Sequence, residues 1–238
     1  MKFLYGAAIT AAVVLGSASA SFADCNGGRF AGLHVGLTAG VGGFEARQDA
    51  VPTVLNPQPE TDSARGRSTT FVPGAEIGYD IQCGSIVAGV AVDASYLGVR
   101  ANSDWPDPVT MQAKIGWFET VRGKLGVTMR DDLLLYGTAG VAFANVSESI
   151  TFPTLPAFQS DSRDKTGLVY GGGLELARTD RVLLTAEALH VDLGKDSRDY
   201  SFDSGCCTGT VDWKNSFWVG RIGVSMKFGE EPKYVPLK

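Results

Sequence analysis

Eight stretches of two-residue alternation, joined by connections that are alternately short and long, limit what this chain can become. They run over 30–44, 69–79, 86–99, 114–129, 133–147, 166–177, 182–193 and 214–228. Alternation of apolar and polar residues is the period of a β-strand, whose successive side chains point to opposite faces. The breaks at 80–85, 130–132 and 178–181 are short. Those at 45–68, 100–113, 148–165 and 194–213 are long and rich in Pro, Asp, Ser, Gly and Thr. An even-stranded meander with both ends on one side gives this pattern directly, with tight turns on that side and long loops on the other.

The two faces of these stretches differ in kind. In the last one, SFWVGRIGVSMKF, Trp218, Gly220, Ile222, Val224, Met226 and Phe228 share one face, and Arg221 and Lys227 lie on the other. The same sorting puts Glu76, Asp93, Arg122, Lys124, Glu175 and Glu187 on polar faces. Two stretches are less clean: Leu183, Leu189 and Val191 share the face of Glu187, and Glu119 falls among the apolar set, near an outer rim. Unpaired charges at mid-strand cannot line a dry core, because each costs several kcal/mol. Paired, they can fill a narrow barrel, which frees the apolar face to look outward into lipid. A soluble barrel of lipocalin type would need the reverse, an apolar interior and a charged exterior. The aromatics agree with the lipid reading. Phe71, Tyr96, Trp117, Phe143, Tyr170 and Trp218 fall toward the ends with long connections, and Tyr79 and Phe228 toward the opposite ends. Lipid-facing girdles have this distribution. The fold expected is all-β: an eight-stranded antiparallel up-and-down transmembrane β-barrel.

The beginning of the chain reads as a secretory signal. Lys2 precedes an apolar run from Phe3 to Leu15, and small residues suit cleavage after Ala20 or Ala23. Cys25 follows Asp24, and Phe22 stands third before it, a poor fit to a lipoprotein signal. The expected organisation is a signal peptide over 1–23, a barrel over 24–229 and a short periplasmic tail over 230–238. After the signal no apolar stretch is long enough for a spanning helix, which needs ~20 residues. Net charge is −5 and no basic run occurs, so nucleic acid is not an expected partner.

Five segments in order, FAGLHVGLTAGVGG, ETVRGKLGV, LLYGTAGVAFA, LTAEALHVDLG and WVGRIGVSMKFG, resemble the small outer-membrane β-barrel proteins of Gram-negative bacteria. That group includes opacity-type and OmpA-like surface proteins and many surface antigens. The resemblance covers essentially the whole mature chain. It implies an eight-stranded barrel with variable outer loops, located in the outer membrane. It also implies outer-membrane lipids, lipopolysaccharide and the barrel-assembly machinery as partners, and an extracellular ligand taken by the long loops. Two features depart from the family. The chain continues past Phe228 with GEEPKYVPLK, and Ala188 and His190 stand where aromatics are common.

Chemistry-bearing motifs are sparse. VGLTAGVGG (35–43) and YGGGLE (170–175) are glycine-rich, but no GK[ST] follows and neither opens a helix; small residues in a narrow barrel explain them. His34 and His190 are the only histidines, His190 has no serine at a hydrolase spacing, and no Cys/His pattern suits zinc. No catalytic residue, cofactor or metal is expected. The cysteines divide by topology. Cys25 and Cys83 belong to the short-turn side and could pair in an oxidising periplasm. Cys206 and Cys207 belong to the last long loop, too far across the ~25 Å apolar band to reach the first two. They would form an adjacent-residue ring, stay free or pair with another molecule. The function expected is a structural, surface-exposed envelope protein. A small porin-like channel or a ligand-binding surface receptor is the alternative, and a lipid A-modifying enzyme a third.

Overall fold

The structure, a computed structural model, describes Cys25 and residues 28–52, 62–104, 110–151, 159–201 and 208–228. Eight strands follow one another: β1 (Gly32–Pro52), β2 (Asp62–Cys83), β3 (Ile86–Asp104), β4 (Thr110–Arg130), β5 (Leu133–Thr151), β6 (Gln159–Ala177), β7 (Val182–Ser201) and β8 (Thr208–Phe228). Each pairs antiparallel with the next, and β8 pairs with β1, so the sheet closes into a barrel with no free edge. Tight turns at Gly84–Ser85, Asp131–Asp132 and 178–181 lie at the same end as the start of β1 and the end of β8. Gly84 has φ of +59°, a left-handed conformation that glycine adopts without a Cβ penalty.

The alternation sorts side chains to two environments. On β8, Trp218, Ile222, Val224, Met226 and Phe228 are exposed, while Phe217, Val219, Arg221 and Ser225 are buried. The outward apolar run of β8 spans 218–228; at ~3.3 Å per residue and a tilt near 40° it covers about 25 Å, the thickness of an outer-membrane apolar band. The eight aromatics Phe71, Tyr79, Tyr96, Trp117, Phe143, Tyr170, Trp218 and Phe228 are all exposed on this outer wall.

The strands are longer than the alternation suggests. The four long breaks were expected to be loops, yet β1 runs on to Pro52, β2 starts at Asp62, and β7 and β8 pair up to Ser201↔Thr208. The sheet therefore continues well beyond the outward apolar band at the loop end. These extensions are polar, so no apolar face marks them, and only pairing with a neighbouring strand reveals them. Three bulges fall near the band's edge, one of them at Gly116–Trp117, between the pairs Ile115↔Val146 and Phe118↔Ala144. Leu97–Gly98 is inserted between the pairs Tyr96↔Trp117 and Val99↔Ile115, and Leu193–Gly194 between Asp192↔Ser216 and Lys195↔Lys214. Gly98 and Gly194 have φ of +56° and +76°, and the Gly194 amide donates to Asp192 Oδ1 at 2.9 Å.

The lumen is packed in layers. Toward the loop end lies an apolar cluster that includes Phe44, Val72, Leu97, Ile115, Phe118, Leu189 and Phe217. Phe118 and Phe217 meet edge to face, with ring centroids 5.1 Å apart. Toward the turn end a smaller cluster joins Phe30, Val87, Leu134, Tyr136, Ala177 and Leu183. The charges lie between. The expectation of an interior filled by paired charges is thus corrected: large apolar side chains occupy both ends. Leu183, Leu189 and Val191, which shared a face with Glu187, point inward with it because the parity of β7 leaves them no other side.

Candidate functional site: the charged middle of the lumen

Arg122 on β4 and Arg221 on β8 approach from opposite walls and share carboxylates. Arg122 donates through Nη1 to Glu187 Oε1 at 2.7 Å and through Nε to Asp93 Oδ2 at 3.1 Å. Arg221 donates through Nε to Glu187 Oε2 at 2.9 Å and through Nη1 to Asp93 Oδ1 at 3.0 Å. Each of these carboxylates bridges both guanidiniums, one oxygen to each. Glu76 lies 3.6 Å from Arg221 and 3.9 Å from Arg122, and accepts from Ser225 Oγ at 3.3 Å. Thr120 donates to Asp93, and Tyr136 donates to Glu187 at 3.0 Å. Charge-assisted hydrogen bonds of this kind are the strong ones, and here water is largely excluded from them.

A second group lies nearer the turn end. Lys124 Nζ donates to Asp80 Oδ2 at 2.6 Å and to Glu175 Oε2 at 3.1 Å, and sits 5.2 Å from the Tyr136 ring centre. His34 Nδ1 is 3.6 Å from Asp80 Oδ2. Lys227 is apart from both groups and donates to the carbonyl of Arg29 at the turn-end mouth. Of the eight charges singled out in the sequence, seven fall into these two groups and Lys227 does not. Sequence reasoning missed Asp80, His34 and Tyr136. Asp80 was assigned to the break at 80–85, but β2 runs on through Cys83↔Ile86. Its parity with Gly78 and Glu76 was the available signal.

Glycine makes room for the arginines. Gly40 on β1 stands opposite Arg221, and Gly140 on β5 opposite Arg122. A Cβ on either would lie 2.7 Å from the Cα of the arginine it faces. The glycine-rich run at 35–43 thus lines a crowded lumen rather than a phosphate loop.

The turn-end mouth is crossed by the residues before β1. A disulfide joins Cys25 to Cys83. The Gln82 amide donates to the Cys25 carbonyl at 3.0 Å, and Gln82 Oε1 accepts from the Phe30 amide at 3.1 Å. Phe30 is fully buried beneath this strap. Cys206 and Cys207, the signal segment 1–23 and the tail 230–238 lie outside the described residues. Among the described residues no cluster of His, Cys, Asp and Glu is arranged to hold a metal ion.

A closed eight-stranded antiparallel barrel with an apolar outer wall, exposed aromatics and charges inside defines an outer-membrane β-barrel. The family model for the outer membrane protein beta-barrel domain matches residues 8–229, and the chain belongs to that family. The chain is 33% identical over 151 residues to a 22 kDa outer membrane protein of Rhizobium leguminosarum bv. viciae, covering 63% of each chain. It is 29% identical over 177 residues to a 31 kDa outer-membrane immunogenic protein of Brucella melitensis, covering 66% of each. The matched region is thus less than two thirds of either relative's length. The crystal structure of the outer membrane protein OprG from Pseudomonas aeruginosa superposes with a TM-score of 0.55 at 14% identity, covering 85% of this chain and 99% of that one. The protein is an outer-membrane β-barrel of a Gram-negative type.

Proposed function

We propose that this barrel is a closed, non-enzymatic envelope protein whose role is structural and surface-interacting. The observation that carries the reading is the filled lumen. The apolar plug around Phe118 and Phe217 and the Arg122–Glu187–Arg221–Asp93 network occupy successive levels of it. Eight strands enclose only enough room for side chains, so little space is left for a solute. In this reading the outer wall contacts outer-membrane lipid, the barrel-assembly machinery inserts the chain, and the residues between the long strands meet any extracellular ligand. The short turns face the periplasm, as in other outer-membrane barrels.

Planar-bilayer recording tests it. The purified barrel should give no stable conductance steps. Regular steps whose size responds to Phe118→Ala or Phe217→Ala would establish the channel reading instead.

A further inference from the structure

The outward positions of the apolar band hold a single carboxylate and a single imidazole. Those positions run over 33–41, 71–79, 86–96, 117–129, 133–143, 168–176, 184–190 and 218–228, and among them Glu119 on β4 is the only acid and His190 on β7 the only base. Glu119 is exposed and makes no hydrogen bond or ion pair with any described residue. His190 is half-buried between Tyr170 and Trp218, whose ring centres lie 5.0 and 4.4 Å from its own. Its Nδ1 is buried with no hydrogen-bond partner, which leaves Nε2 to meet what lies outside the wall. Ionisable groups in a lipid-facing wall are costly and mark a functional site by default.

The two groups stand at one depth but cannot meet within one chain. Glu119 is flanked in register by Phe143 and lies one outward step inside Trp117, and His190 is flanked by Tyr170 and Trp218. These four aromatics belong to the loop-end girdle and are exposed. On the closed wall β5 and β6 separate β4 from β7, so Glu119 and His190 point in different directions. Two copies inserted upright in one membrane bring equal depths together. The β4 face of one can then meet the β7 face of the next with Glu119 opposite His190. The walls also fit. Gly137, Gly172, Ala188 and Gly220 form one register row across β5 to β8, on the membrane side of His190. Small residues let neighbouring spans approach closely in lipid. On the membrane side of Glu119, exposed Val121 and Leu125 project from β4.

We propose that the β4 and β7 faces form an interface between copies of this chain within the membrane, in which His190 Nε2–H of one copy donates to the Glu119 carboxylate of the next. An acyl chain supplies neither a donor for the carboxylate nor an acceptor for the imidazole. A second copy supplies both, at matched depth, as a charge-assisted hydrogen bond in a water-poor setting. The contact is head to tail, because the two faces lie on different sides of the barrel. Each copy therefore offers its β4 face to one neighbour and its β7 face to another, and association runs past a dimer into a ring or a row. The inference rests on the outer-membrane location alone and not on the lumen being closed.

The test is native mass spectrometry of the full-length barrel released from phosphatidylglycerol liposomes. Folding is checked in each sample by heat-modifiable gel migration, and apolar replacements suit a lipid-facing wall. The native barrel should give species larger than a dimer. Glu119→Leu and His190→Phe should each weaken association about tenfold, the size expected for loss of one hydrogen bond to a charged group. Phe71→Leu, on β2 and remote from both faces, should leave it unchanged. Mixing the Glu119→Leu and His190→Phe chains should restore dimers and nothing larger, because one chain keeps its β7 face and the other its β4 face. A loss caused by general destabilisation would not be rescued in this way. Native monomers, native dimers that do not extend, equal loss with Phe71→Leu, or a mixture that associates no better than its components would each overturn the proposal. So would monomers that retain a phosphatidylglycerol through Glu119 and His190, which would assign the two groups to lipid.

Discussion

The alternation of β8 sets Val224 and Ser225 side by side in sequence and on opposite sides of the wall. Val224 lies near the middle of the outward apolar run, and Ser225 is buried beside Glu76. Val224→Arg should destabilise the barrel by about 2–4 kcal/mol, the cost of a basic side chain at mid-bilayer. Ser225→Arg should act through crowding and charge balance in the lumen instead. Equilibrium unfolding in liposomes measures both, and a harmless Val224→Arg would refute the outward assignment. Inside, the pair to test is Glu187 with Arg221. Removing one member of a buried pair leaves the other uncompensated and typically costs about 3–5 kcal/mol. Glu187→Gln and Arg221→Gln should therefore each be costly, and the double variant should cost clearly less than their sum. Additive losses would mean that the two charges are hydrated separately and that water fills the lumen.

At the scale of elements, the strap before β1 and the hairpin β2–β3 are held together by the Cys25–Cys83 disulfide, which spans 58 residues of sequence. Such a cross-link stabilises mainly by restricting the unfolded chain, typically by about 2–4 kcal/mol. Cys25→Ser should therefore lower the temperature at which the folded band is lost on heated detergent gels. The shift should be reproduced by reducing the native barrel and should be absent when reductant is added to the variant. An unchanged midpoint would show that hydrogen bonds from Gln82 and packing of Phe30 hold the strap without it.

For the whole molecule, orientation follows from the placement of short turns and long strands. Protease added to intact cells should cut within 53–61, 105–109, 152–158 or 202–207 and should spare 178–181 until the outer membrane is permeabilised. The reverse pattern would invert the barrel. What the sequence determined by itself is the part governed by a local rule. A wall with lipid on one side and a charged lumen on the other imposes a two-residue period, so strand number, antiparallel order and the inward set of Arg122, Arg221, Asp93 and Glu187 were all legible. Glu119 was legible too, as the one break in the period on β4. The tertiary structure alone decided what lies where that contrast fades. Beyond the apolar band both faces of a strand are polar, so β1, β2, β7 and β8 gained length that only hydrogen bonding to a neighbour could reveal. Near the turn, Asp80 joined Lys124 because β2 pairs through Cys83, a fact of register and not of composition. Phe118 and Phe217 met as a plug because closure brings β4 and β8 face to face across a narrow lumen, and no period along a single strand carries that distance.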